Sequence, residues 1–196
     1  MTILGIDPGT RITGVGIIET SFSPKKETRI IFSDAILLNG NDAMPQRLKI
    51  IFDSLSSLIK KFKPNEVAIE AMFYGKNAQS AMKLGQARGV SILAAVVQNI
   101  SVTEYSPREV KKSVVGNGAA SKQQVQAMVK SLLKLKSLPK HFDETDALAV
   151  ALCHSNSRNF SSKILQLPNT NRFKDWKSFL DSNPEKLVST KSAIHN

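Results

Sequence analysis

A chain of 196 residues, 41% of them hydrophobic, is long enough for one well-cored domain with an appendage, too short for two full domains and too apolar for global disorder. Its 27 Lys and Arg against 16 Asp and Glu give a net charge of +11, which favours polyanionic partners, nucleic acid before anionic membrane. There is no apolar run of about 18 residues, no basic leader precedes the first strand pattern, and a single cysteine, Cys153, excludes an intramolecular disulfide and a cysteine-rich zinc site; these features predict a soluble protein of a reducing, cytoplasmic compartment.

The chain opens on a short apolar run, Ile3, Leu4 and Ile6, that meets Asp7-Pro8-Gly9, so the first strand ends in a carboxylate at a turn. Thr13 to Ile18 and Arg29 to Leu38 read as the next two strands of an antiparallel meander, with a loop at Ser21 to Lys26 between them. Leu48, Ile51, Phe52, Leu55, Leu58, Ile59 and Phe62 recur at spacings of three and four and predict a helix with one buried face, ended near Pro64. Glu66 to Glu70 returns as a short strand parallel to the first, and it too ends in an acid.

Asn77 is placed to cap a long helix reaching about Gln98. Gly85 and Gly89 lie one turn apart inside it, where each costs about 1 kcal/mol relative to Ala, so a close backbone approach is expected there, either at a subunit interface or within the monomer. Val102 to Tyr105 is a fifth strand, followed by a basic helix from Arg108 to Val115, a helix capped by Ser121 that runs to about Lys136, and a last helix from about Asp143 to Ser155. Residues 1–155 form the predicted domain. Residues 156–196, rich in Ser, Asn and Lys, read as a basic, partly disordered appendage.

Between Arg108 and Lys140 eight Lys or Arg stand against one acid, Glu109, a run suited to a solvated helical face or to a phosphate backbone. Acids aimed at strand ends in so basic a chain are a contradiction unless cations lie between them and a polyanion. Divalent metal held by oxygen ligands supplies such cations. The candidates are Asp7 and Glu70 from strand ends and Asp143 and Asp146, three apart on one helical face; Glu144, between them, is expected to face solvent. Taken singly, each acid has a simpler role: turn residue, solvated strand end, or helix cap.

The stretches Leu4-Gly-Ile-Asp-Pro-Gly-Thr10, Ala68-Ile-Glu-Ala-Met-Phe73, Lys76-Asn-Ala-Gln-Ser-Ala-Met-Lys-Leu-Gly-Gln-Ala-Arg-Gly89, Val114-Val-Gly-Asn-Gly118 and Asp143-Glu-Thr-Asp-Ala-Leu-Ala-Val150 resemble, in order and spacing, the motifs of the RuvC family of Holliday-junction resolvases. The resemblance covers residues 1 to about 155. It implies an α/β ribonuclease H-like fold, a mixed five-stranded sheet flanked by helices, in a homodimer that nicks four-way DNA junctions in recombination and repair. It further implies that Asp7, Glu70, Asp143 and Asp146 are catalytic ligands of two Mg²⁺ ions, for which Mn²⁺ can substitute. Phe73, Lys111 and Lys122 fall on positions the family directs at DNA, and the branch-migration proteins RuvA and RuvB are implied partners. His154, two turns beyond Asp146, is a candidate supporting group rather than a ligand.

Three other readings share parts of the pattern. Asp-Pro-Gly-Thr after a strand resembles the phosphate loop of actin-like ATPases and sugar kinases, but those need a second such domain. A binding module without catalysis would not need four acids. A nuclease of the YqgF type would lack the Gln86-Ala-Arg-Gly89 helix.

Overall fold

The computed structural model describes residues 1–21, 27–71 and 77–166, with side chains to residue 158. Five strands, β1 (Thr2–Asp7), β2 (Ile12–Thr20), β3 (Thr28–Leu37), β4 (Glu66–Glu70) and β5 (Val102–Tyr105), form one sheet in the order β3-β2-β1-β4-β5. The first three pair antiparallel, as expected of a meander, while β4 and β5 are parallel to β1. Among the described residues there are five helices: α1 (Met44–Phe62), α2 (Ala78–Val96), α3 (Pro107–Val115), α4 (Lys122–Leu132) and α5 (Phe142–Gln166). The compact unit Met1–Phe160 holds every strand and α1 to α4. The last helix runs eleven residues beyond its predicted end at Ser155.

Alternation along the strands sorts side chains to two cores. Leu4, Ile6, Val15, Ile17, Val67 and Ile69 pack with α1 and α2 on one face. Ile3, Ile18 and Ala68 pack with α3, α4 and α5 on the other, where Val110, Val125, Val129 and Leu148 are buried. By the same period of two, Gly5 and Asp7 of β1 and Glu66 and Glu70 of β4 lie on the α5 face. The lone thiol, Cys153, is 2% exposed, and burial pushes its pKa up to about 11, leaving it an unreactive core group.

How closely α5 lies on the sheet is set by three strand glycines. A Cβ at Gly5 would stand 2.1 Å from the Ala147 carbonyl oxygen, one at Gly14 1.9 Å from that of Asp143, and one at Gly16 2.8 Å from Leu148 Cδ2. Any side chain there would push the helix off β1 and β2. Local caps fix the starts of α2, α3 and α4: Asn77 accepts from Ser80 N–H (3.1 Å), Ser106 forms a reciprocal box with Glu109, and Ser121 one with Gln124. No Cap residue serves α1; instead Arg47 donates to the carbonyls of Asp42, Thr10 and Gly40 at 2.9 to 3.1 Å, tying the β1–β2 turn to the helix.

The glycines of α2 have a different environment. A Cβ at Gly85 or Gly89 would meet no described residue within 4 Å. They lie on one stripe with the exposed Met82, Leu93 and Val96, Gly85 half-buried and Gly89 exposed, opposite the buried Ala87, Ser91, Ala94 and Ala95. Among the described residues, then, no tight contact explains them.

Candidate active site

The register Ile3↔Glu66 through Ile6↔Ile69 brings the next two residues, Asp7 and Glu70, out of adjacent parallel strands side by side, about 5 Å apart at the backbone. Gly9 shapes the exit from β1. Its N–H donates to Thr13 Oγ1 (3.2 Å), the Thr13 hydroxyl donates back to its carbonyl (3.0 Å), and a Cβ at this position would stand 1.9 Å from the Ile12 carbonyl oxygen. Above the two strand ends, the first turns of α5 deliver Asp143 and Asp146, whose charges both reach Asp7. The charges of Glu70, Asp143 and Asp146 all act on Asp7, so the four predicted acids share one electrostatic neighbourhood. Within this group Asp146 also acts on Glu70, and Asp7 and Glu70 lie within hydrogen-bonding reach, a contact that requires one of them to hold a proton.

The proton affinities record this crowding. Burial first, then the charges of Glu70, Asp146 and Asp143, lift the Asp7 pKa from 3.8 to about 8. Burial and Asp146 lift Glu70 from 4.5 to about 7, against the relief given by Asp7, Lys122 and Lys111. Burial raises Asp146 as well, opposed by Lys122. The Lys122 ammonium lies 2.6 Å from Asp146 Oδ2 and 5.2 Å from the centre of the exposed Phe142 ring. Burial alone would pull its pKa down, but the bond to Asp146 and the charges of Asp143 and Asp7 outweigh that and raise it.

Glu70, Asp146, Lys111 and Lys122 line a cleft of about 130 Å³ with Val110 and Val125 in its wall. Among the described residues no three acid, His or Cys groups close on one point as a ready-made metal cage. The donor chemistry nonetheless fits a hard divalent cation: four carboxylates, all oxygen donors, stand against two lysines, Lys111 and Lys122, and burial together with mutual repulsion raises the proton affinity of Asp7 and Glu70.

Glu144 departs from its expected place. Rather than facing solvent, it is 8% exposed: one carboxylate oxygen accepts from the Ser33 hydroxyl of β3 (3.1 Å) and the other from His141 N–H (3.2 Å). It therefore caps the start of α5 and ties it to the sheet edge, which the one-face argument from helical spacing could not reveal because β3 lies beyond that face. Phe73 lies outside the described residues. The sequence reading also missed the pairing of Lys122 with Asp146, which joins α4 to α5 and carries no local signal.

Acids at the ends of β1 and β4 under a helix that supplies two more, on a sheet of order β3-β2-β1-β4-β5, define a ribonuclease H-like fold of the resolvase class. The family model for crossover junction endodeoxyribonuclease RuvC matches residues 3–154, and the chain belongs to that family. The relative of that name from Pseudoalteromonas atlantica is 52% identical over 155 residues, 79% of this chain and 87% of the relative. The one from Chloroherpeton thalassium is 42% identical over 189 residues, 96% of this chain and 100% of the relative. Among solved structures, Thermus thermophilus RuvC superposes with a TM-score of 0.75 at 29% identity, covering 82% of this chain and 97% of that one. The same protein in complex with a Holliday junction substrate gives a TM-score of 0.75 at 26% identity, covering 83% and 98%.

Proposed function

We infer that this chain is a divalent-metal-dependent crossover junction endodeoxyribonuclease, resolving four-way DNA junctions by paired nicking in recombination and repair. The observation that carries the reading is the convergence of Asp7, Glu70, Asp143 and Asp146 beside Lys111 and Lys122 in a chain of this family.

The four carboxylates are assigned as the ligands of two Mg²⁺ ions, with Mn²⁺ able to substitute. Metal bound there supplies activation of the attacking water and neutralisation of charge at the scissile phosphate. Asp7, half-buried and acted on by the charges of the other three, is assigned the centre of the site, with Glu70 and Asp146 beside it. Lys111 and Lys122 offset carboxylate charge on the cleft side, so that a phosphate is not repelled as it enters. Direct hydrolysis leaves 5′-phosphate and 3′-hydroxyl ends, and no side chain here is needed as a covalent nucleophile. The basic surface between Arg108 and Lys140 holds the junction arms, and Phe73 meets the bases at the crossover.

The working form is a homodimer, because a twofold junction presents two equivalent strands and one symmetric pair presents two sites. The α2 stripe of Met82, Gly85, Gly89, Leu93 and Val96 suits a second copy: its glycines permit close backbone approach and its apolar residues gain burial. Residues 1–155 carry the nuclease and 156–196 are a basic appendage. RuvA and RuvB are the expected partners in a cytoplasmic setting; among the described residues no helix is long and apolar enough to cross a membrane.

The test is nicking of a synthetic four-way junction in Mg²⁺ by the parent and by Asp7→Asn. The parent is expected to make symmetric nicks, and the variant to bind the junction without cutting it. ATP hydrolysis without DNA cleavage by the parent would refute the assignment.

A further inference from the structure

Away from the acids, α5 carries a second buried polar cluster that the nuclease chemistry leaves unused. His154 is 2% exposed. Its Nε2 is paired with Glu66 Oε2 of β4, its Nδ1 is 2.9 Å from the Tyr105 hydroxyl of β5, and Arg158 Nη2 reaches the other Glu66 oxygen at 3.2 Å. A carboxylate only accepts, so Nε2 carries a proton; in the neutral ring Nδ1 then accepts from Tyr105. Burying such a group without these partners would be costly, so the arrangement is directional and fixed.

Its place in the fold gives it a consequence at the acids. Glu66 and Glu70 are four residues apart on one face of β4, about 13 Å along the strand. Asp146 and His154 are eight residues apart on α5, about 12 Å along the helix. The two spans match, and α5 runs antiparallel to β4, with Asp146 near Glu70 at one end and His154 on Glu66 at the other. The glycines of β1 and β2 set how near the helix lies, Gly5 against Ala147 and Ala151, Gly14 against Asp143 and Gly16 against Leu148; Glu144 ties the start of the helix to β3, and the His154 pair ties it to β4 beyond the acids. A residue's slip is about 1.5 Å, enough to change which carboxylate oxygens can share a cation.

We propose that His154 and Glu66 are positioning residues, whose pairing sets the longitudinal register of α5 on β4 and so holds Asp146 opposite Glu70. The inference rests on the nuclease reading of the four acids. It is tested with His154→Leu, which removes both bonds, His154→Gln, whose amide reaches the Nε2 position, and His154→Asn, whose amide reaches only the Nδ1 position. Three quantities are measured on each full-length protein: Mn²⁺ affinity without DNA, single-turnover nicking of a four-way junction, and junction affinity in EDTA.

The Leu and Asn variants are expected to lose about tenfold or more in both Mn²⁺ affinity and nicking rate, with junction affinity within about twofold. The Gln variant should stay within about threefold of the parent on all three. A Leu variant that is less heat-stable yet binds Mn²⁺ and nicks like the parent would overturn the proposal, as would a Gln variant that folds but falls as far as Asn. If Leu does not fold, the Gln and Asn pair decides. A parent that binds Mn²⁺ but nicks no junction would overturn the nuclease reading instead, and the Mn²⁺ affinities would still judge the register.

Discussion

Replacing Asp7 by Asn removes one charge from the most crowded point of the metal-free protein while keeping its shape, so the variant should be the more stable of the two when metal is absent. In the unfolded chain Asp7 ionises near 3.8; in the fold it does so near 8. Across that interval the folded state holds a proton that the unfolded state has released, so stability falls as pH rises from about 4 to about 8 and is lowest above it. At about 1.4 kcal/mol for each tenfold change in proton affinity, the rise corresponds to about 6 kcal/mol as an upper bound. Glu70, which rises to about 7, shares the same repulsion, so removing one charge should recover only part of that, about 2 to 3 kcal/mol at pH 8. For a unit of this size the gain is a rise of about 5 to 10 °C in thermal midpoint. The assay is thermal unfolding in EDTA from pH 5 to pH 8.5, repeated with Mg²⁺ or Mn²⁺. The parent should lose stability with rising pH and regain it on adding metal, whereas Asp7→Asn should show a flatter profile and a smaller metal response. An Asn variant no more stable than the parent at pH 8 in EDTA would refute the electrostatic reasoning.

Three further outcomes are expected. Lys122→Ala should weaken junction binding and reduce the slope of log affinity against log salt by about 1, measured by titration at several ionic strengths. Freed from its ammonium partner, Asp146 should at the same time bind Mn²⁺ more tightly in calorimetry without DNA. Gly14→Ala sets a methyl against the Asp143 carbonyl and should cost about 3 kcal/mol in denaturant unfolding, with nicking reduced even where the protein is fully folded, because α5 must lift. Gly89→Leu should convert a dimer to a monomer in analytical ultracentrifugation and replace paired nicks with single ones, while leaving the thermal midpoint of the monomeric unit within about 3 °C.

Much of this molecule is legible in local pattern. Apolar spacing, with turn and cap residues, marks the five strands and five helices among the described residues, because burial against a sheet imposes periods of two and 3.6 on any chain that folds this way. The four acids are visible at strand and helix ends for the same reason: Asp7 and Glu70 stand where apolar runs stop, and Asp143 and Asp146 where one begins. Even the oddity of Gly85 and Gly89 is visible, as an unexplained cost in a helix interior. What the sequence by itself determined, then, is the elements, the basic balance and the kinds of residues available for chemistry. Only the tertiary structure decided what faces what. Parallel pairing of β4 with β1 puts Glu70 beside Asp7, α4 brings Lys122 onto Asp146, and β3 supplies the Ser33 that buries Glu144. Those contacts join residues from 24 to 111 positions apart, and helical or strand period names the face a side chain shares without naming the element packed against it. Proton affinity follows the same division: an Asp is ordinary in any short peptide, and Asp7 becomes a group that holds its proton to about pH 8 only when the fold buries it and then brings three other carboxylates near it.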